Sequence, residues 1–207
     1  MMNDKPGRIS ALLAQSRPTI SFEFFPPKDE TGFESLRASF EHLLALGPDF
    51  ISVTYGAMGS NQDRSIAVVE EFAKRVPTIA HLTCIGATRT NLQELLSTYS
   101  SAGVAAILAL RGDIPKDFVG EPLGDFKRAT DLVELVRGTD FEIGVAAFPE
   151  KHPESSSLEH DLEVLKIKQA SGGTFAMTQL FFDIDSYFHL VTSAQSAGVT
   201  IPIVPGL

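Results

Sequence analysis

The stretch TISFEFFPPKDETGFESLRASFEHLLALGPDFISVTY, residues 19–55, reads as strand, helix and strand in turn. Its ends, TISFEFF (19–25) and FISVTY (50–55), are β-branched and aromatic runs. Between them Phe33, Leu36, Phe40, Leu43 and Leu44 fall on one helical stripe. One residue disturbs the pattern. Glu23 stands inside the first apolar run, beside Phe22, Phe24 and Phe25. A buried charge there is costly, so the placement of Glu23 depends on the architecture around the strand.

The same unit recurs along the chain. Further strand-like runs are IAHLTC (79–84), VAAILAL (104–110), EIGVAAF (142–148), TFAMTQLFF (174–182) and IPIVP (201–205). Helical segments lie between them. TNLQELLSTYSSAG pairs Thr90 with Gln93 at capping-box spacing and closes on Gly103, and SSLEHDLEVLKIKQASGG pairs Ser156 with Glu159 and ends in Gly172 and Gly173. IDSYFHLVTSAQSAG is the last helix before the seventh strand. Alternation at roughly 30 residues argues for parallel strands joined by helical crossovers. A doubly wound sheet would carry G-x-G-x-x-G after a strand, and none occurs. The expected fold is therefore α/β, a (β/α)₈ TIM-type barrel with seven of its eight strands in this chain. The expected organisation is one barrel domain over residues 1–207, C-terminally incomplete, with its first and seventh strands left as open edges.

Composition narrows the function. The chain has 207 residues, is 43% hydrophobic and 21% charged, and carries a net charge of -9. Such an acidic balance argues against nucleic acid or an anionic membrane as a partner. Cys84 is the only cysteine, so no internal disulfide can form, which fits a reducing cytoplasm. Neither a signal peptide nor a transmembrane run is present in the sequence. The five histidines form no H-x-x-x-H or Cys/His cluster, so no metal site is expected.

Barrel active sites lie at the C-terminal ends of the strands. Polar residues collect there on six consecutive strands. They are Glu23; Thr54 and Tyr55; His81; Arg111, Gly112 and Asp113; His152; and Gln179. Each alone has an ordinary explanation. His81 reads equally as a satisfied core histidine, Cys84 as a small buried hydrophobe, and Arg111-Gly112-Asp113 as a tight turn. Together they read as one site.

The motifs SFEFFPPK, ISVTYGA, HLTC, LALRGD, AAFPEKHPES and TQLFFD, in this order, closely resemble 5,10-methylenetetrahydrofolate reductase of the bacterial catalytic-domain type. The resemblance runs from about residue 18 to Leu207. It implies a (β/α)₈ barrel that binds FAD, takes electrons from NADH or NADPH, and reduces methylenetetrahydrofolate to 5-methyltetrahydrofolate for methionine synthesis. It also implies a cytoplasmic protein that forms a homo-oligomer when full length. By the same resemblance Glu23 is the general acid, and Asp113 lies near both flavin and folate. The flavin-contacting positions are Thr54, Tyr55, Ala57, His81, Arg111, Gly112, Asp113, Ala129, Phe148, His152, Ser155, Asp161 and Lys168. Gln179, with Glu23 and Asp113, touches the folate.

The residue types suit that chemistry. The substrate is a cyclic aminal, and protonating N10 opens it to an iminium cation. An acid with a pKa raised by an apolar setting, to which Phe24 and Phe25 contribute, supplies that proton. An ionised Asp113 stabilises the cation. Three positions depart from the family pattern: Phe148 and Arg128 stand where relatives carry tyrosine, and Val164 replaces a polar residue. A proline-dehydrogenase-like FAD barrel and a non-catalytic folate- or flavin-binding barrel are the competing readings. Strand alternation predicts Glu23 on the inner face, with Phe22 and Phe24 outward against helices.

Overall fold

The computed structural model describes residues 8–55, 60–113 and 124–207, with backbone alone at 60 and 61. A short helix, α1 (Ile9–Leu13), precedes the first strand. Then follow β1 (Ser21–Phe24), α2 (Glu30–Leu44), β2 (Phe50–Val53), α3 (Ser60–Phe72), β3 (Thr78–Thr83), α4 (Arg89–Ala102) and β4 (Ala106–Leu110). The second half runs α5 (Ala129–Arg137), β5 (Glu142–Ala147), α6 (Leu158–Ser171), β6 (Phe175–Thr178), α7 (Ile184–Ser196) and β7 (Ile203–Val204). The seven strands lie in one sheet in chain order, and every neighbouring pair is parallel. This is a TIM-type barrel arrangement with seven strands. Among the described residues β1 and β7 pair on one side only.

All seven apolar runs read from the sequence become strands. The helix starts required correction at two places. Thr88, not Thr90, caps α4: its backbone is extended and its hydroxyl accepts from the Asn91 N–H at 3.2 Å. Ser157, not Ser156, caps α6 by accepting from His160 N–H, also at 3.2 Å. In both segments two hydroxyl residues compete, and the one with extended φ/ψ takes the cap. Asp29 caps α2 through the Gly32 N–H at 2.8 Å. Gly103 ends α4 at φ 82°, the left-handed turn expected of it.

Alternation divides each strand between two cores. The outward residues, among them Phe24, Val53, Leu82, Ile107 and Val145, pack on the helices. There Phe24 meets Phe40 and Phe72 edge-on at 5.7 and 5.4 Å, and the latter two rings stack at 3.7 Å. The inward residues Phe50, Ile79, Ala106, Leu108 and Phe175 form a separate cluster with Ile9 of α1. These residues lie near the strand starts, so α1 seals the N-terminal end of the barrel. It is pinned there by Ser10, whose N–H and hydroxyl both donate to the buried Glu142 carboxylate at the start of β5.

Gly144 on β5 makes room for this interior. A Cβ there would lie 2.7 Å from the Phe175 ring and 3.0 Å from Leu108 Cδ1. Both neighbours are fully packed, so neither can retreat. Gly144→Val is expected to destabilise by about 1–3 kcal/mol through overpacking, read as a lowered urea midpoint with an unchanged slope.

Candidate active site

The C-terminal ends of β3 to β6 open into one cleft of about 1350 Å³. Its wall includes Tyr55, Arg111, Gly112, Asp113, Ala129, Phe148, His152, Ser155, Asp161, Lys168 and Gln179. Eleven sequence-predicted residues thus converge on one surface. Three others, Glu23, Thr54 and His81, do not line the cleft. Ala57 lies outside the described residues. Arg128 and Val164, two of the departures from the family pattern, also sit in the wall.

The turn after β4 is built around Gly112, at φ 87°. A Cβ there would come within 2.9 Å of Ile85 and 3.0 Å of Thr83, so the backbone conformation and the close approach both require glycine. The turn presents Arg111, which bonds both carboxylate oxygens of Glu154 at 2.7 and 2.9 Å. Asp113 follows it and is exposed. Glu154 was not singled out from the sequence, although it lies within the AAFPEKHPES motif. Its partner is 43 residues away, and nothing local signals the pairing.

The loop after β5 forms the opposite wall. Lys151 holds it, with φ 78° and its Nζ donating to the carbonyls of His152 and Ser155. Asp161 on α6 accepts from the His152 N–H at 2.8 Å. Phe148 meets His152 edge-on at 4.7 Å and lies under Lys168, whose Nζ is 5.9 Å from the ring. Lys168 is buried and donates to the Ala146 carbonyl at 2.9 Å. Burial lowers its pKa to about 8, against the opposing pull of Asp161. Arg111, His152 and Lys168 therefore offer positive charge or N–H donors to an anionic ligand, while the Ser155 hydroxyl donates to the Ser157 carbonyl at 3.1 Å and keeps its lone pairs for a ligand hydroxyl. The thiol of Cys84 is pushed up to about 11, chiefly by burial, and donates to the Arg128 carbonyl at 3.3 Å. It packs as the small buried group expected from the sequence.

Glu23 belongs to a second group on the inner wall of β1 to β3. Strand parity is as predicted: Phe24 is buried among helix residues, and Phe22 packs against the same outer core. Glu23 pairs in register with Ser52 of β2. The Ser52 hydroxyl, 2% exposed, donates to Glu23 Oε2 at 3.4 Å. His81 of β3, 7% exposed, places Nε2 at 3.8 Å from the same oxygen. Burial raises the Glu23 pKa, and the Ser52 bond opposes the shift. One expectation needs amending: Phe24 faces the other side of the strand and Phe25 is 67% exposed. The barrel interior, rather than those two rings, supplies the desolvation. Thr83, on the same face of β3 as His81 by alternation, lines the cleft and joins the two groups. Among the described residues no cluster of His, Cys, Asp and Glu is arranged to hold a metal ion, and no helix is long and apolar enough to cross a membrane.

The family model for methylenetetrahydrofolate reductase matches residues 8–207. The chain belongs to the methylenetetrahydrofolate reductase family. It is 42% identical over 196 residues to the 5,10-methylenetetrahydrofolate reductase of Pectobacterium carotovorum subsp. carotovorum, covering 93% of this chain and 64% of that one. It is 36% identical over 216 residues to methylenetetrahydrofolate reductase (NADH) 1 of Arabidopsis thaliana, covering 97% of this chain and 36% of the relative. The chain thus spans slightly less than two thirds of the bacterial methylenetetrahydrofolate reductase. A solved structure from Clostridium thermocellum, of a protein that binds two copies of 5-methyl-5,6,7,8-tetrahydrofolic acid, shares the fold with a TM-score of 0.62 and 14% identity. That match covers 94% of this chain and 67% of the other.

The Arg111–Glu154 pair bears on ligand entry. Its side chains are 30% and 62% exposed, so it contributes little to stability. Glu154 does compete with any anion for the guanidinium. Glu154→Gln is expected to leave the urea midpoint of unfolding essentially unchanged. It should tighten the binding of an anionic ligand in the cleft, measured by titration with inorganic pyrophosphate.

Proposed function

We propose that this chain is the FAD-binding catalytic barrel of a 5,10-methylenetetrahydrofolate reductase, forming 5-methyltetrahydrofolate at the expense of NADH or NADPH. NADH is favoured, in keeping with the name of the Arabidopsis relative. The observation that carries the reading is Glu23: a carboxyl on the inner face of β1, bonded by Ser52 and facing His81, close to a cleft rich in anion donors.

The donor chemistry of the cleft fits FAD. Arg111 and Lys168 suit the pyrophosphate, while His152 can bond ribose or phosphate oxygens and Ser155 can accept from a ribose hydroxyl. The dinucleotide, when bound, supplies the two-electron reduction of the folate. The protein manages position and protons. Glu23 donates to N10 of the folate, opening the aminal ring to the iminium. Its raised pKa keeps more of it protonated near neutrality than an ordinary carboxyl. Asp113 supplies a negative charge at the turn after β4 to offset the cation, and Gln179 offers an amide to the pterin. Thr54, Tyr55, Ala57, Gly112, Ala129, Phe148, Asp161 and His81 complete the proposed flavin surroundings. Phe148 offers no hydroxyl there, so that contact is apolar.

The test is direct. Protein mixed with FAD should acquire a bound-flavin spectrum and oxidise NADH in the presence of methylenetetrahydrofolate. A preparation that gains no flavin spectrum and shows no folate-dependent NADH oxidation overturns the reading.

A further inference from the structure

His81 Nε2 is fully buried and has no hydrogen-bond partner. An orphaned polar nitrogen inside a barrel costs free energy unless some state of the protein satisfies it. Among the described residues, the polar atom that faces that nitrogen is Oε2 of Glu23, at 3.8 Å. Ser52 already donates to this oxygen at 3.4 Å. Oε1 accepts no hydrogen bond among the described residues. The two carboxylate oxygens are therefore inequivalent: Oε2 accepts from Ser52 and faces His81, whereas Oε1 has no donor among the described residues.

We infer that His81 is a positioning residue for Glu23: with Ser52 it binds Oε2 and leaves Oε1 as the oxygen that carries the transferable proton. A small movement of the Glu23 side chain, 41% exposed, closes the 3.8 Å gap. Catalytic hydrogen bonds often tighten in this way only in the working complex. The inference rests on the proposed role of Glu23 as the acid. The resemblance assigns His81 to the flavin, and its unpartnered nitrogen gives it this second task.

The protonation states agree with the geometry. Burial lowers the His81 pKa to about 4, so near neutrality the ring is uncharged and can hold its proton on Nε2 as a donor. That donor stabilises the Glu23 anion more than the acid, and so restrains the rise that burial causes. The polar side chains facing the carboxyl are Ser52 from β2, at 3.4 Å, and His81 from β3, at 3.8 Å; burial and the Ser52 bond set the Glu23 shift, and burial alone sets that of His81.

The test is a direct titration of Glu23 by carbon NMR, in protein labelled at the glutamate carboxyl carbon. The Glu23 signal is assigned by its loss in Glu23→Gln. His81→Leu, which lacks a donor, should raise the Glu23 pKa by about one unit. His81→Gln, which restores an N–H, should recover most of that shift. In unaltered protein the His81 Nε2 signal, followed with nitrogen-labelled histidine, should move with the Glu23 titration and cease to do so in Glu23→Gln. The alkaline limb of folate reduction should follow the Glu23 pKa in each variant. A Glu23 pKa unmoved by His81→Leu, or a His81 signal indifferent to Glu23, overturns the inference whatever the activity. Shifted titrations in a protein that reduces no folate would support the positioning role and overturn the proposed function instead.

Discussion

If the proposed reading holds, Glu23→Gln will slow methylenetetrahydrofolate reduction by about 100- to 10,000-fold, while NADH still reduces the flavin at close to the parent rate. Glutamine keeps the shape of the side chain and can still meet Ser52, but it has no proton to give at any useful pH. The loss should therefore fall on the step that opens the folate ring. Stopped-flow absorbance separates the two half-reactions. Equal losses in both would mean that Glu23 serves flavin binding or folding. The pH dependence carries a sign as well. Burial raises the Glu23 pKa, so the acid form persists to higher pH than in an ordinary glutamate, and folate reduction should decline as pH rises through that elevated pKa. In Glu23→Gln this limb should vanish.

Phe72→Ala should lower unfolding stability by about 3–5 kcal/mol. Phe72 is wholly buried, stacked on Phe40 with ring planes 9° apart, and meets Phe24 edge-on. Truncation removes the shared partner of both rings and leaves a cavity behind β1, the strand that carries Glu23. Urea unfolding followed by circular dichroism reads the loss as a lower midpoint. A change below about 1 kcal/mol would mean that Phe24 and Phe40 collapse into the space. Folate reduction should also suffer, because the residue next to Glu23 loses its anchor. On the proposed reading, flavin binding in the cleft at the ends of β3 to β6 should be less affected.

Much of the fold was legible because each strand is a short apolar run and each helix a polar-faced segment, so local pattern and global architecture agree. The parity of Glu23 followed from alternation alone. The helix caps were less legible: where two hydroxyls stand close together, as at Thr88 and Thr90, spacing cannot decide which backbone is extended. The short helix α1 escaped because five residues carry too little periodicity to register. At the site, the residue types on the strand ends were visible one at a time, but their partners were not. Ser52 becomes meaningful only once β1 and β2 are set in register, and Glu154 only once the loop after β5 reaches the turn after β4. The division of the predicted residues between a cleft and an inner-wall group also needed coordinates. Strand order brings both to one end of the barrel, whereas the layer each occupies depends on packing depth.

The pinned helix at the base of the barrel carries a consequence for how the chain acquires its structure. Ser10 and its partner Glu142 are 132 residues apart. Ile9 rests on side chains from β2, β3, β4 and β6. The surface that receives α1 does not exist until five of the seven strands, β2 to β6, are assembled. Closing so long a loop is entropically slow. A helix that precedes all seven strands in the chain is thus among the last elements to be seated, and the barrel is stoppered only after it has been built.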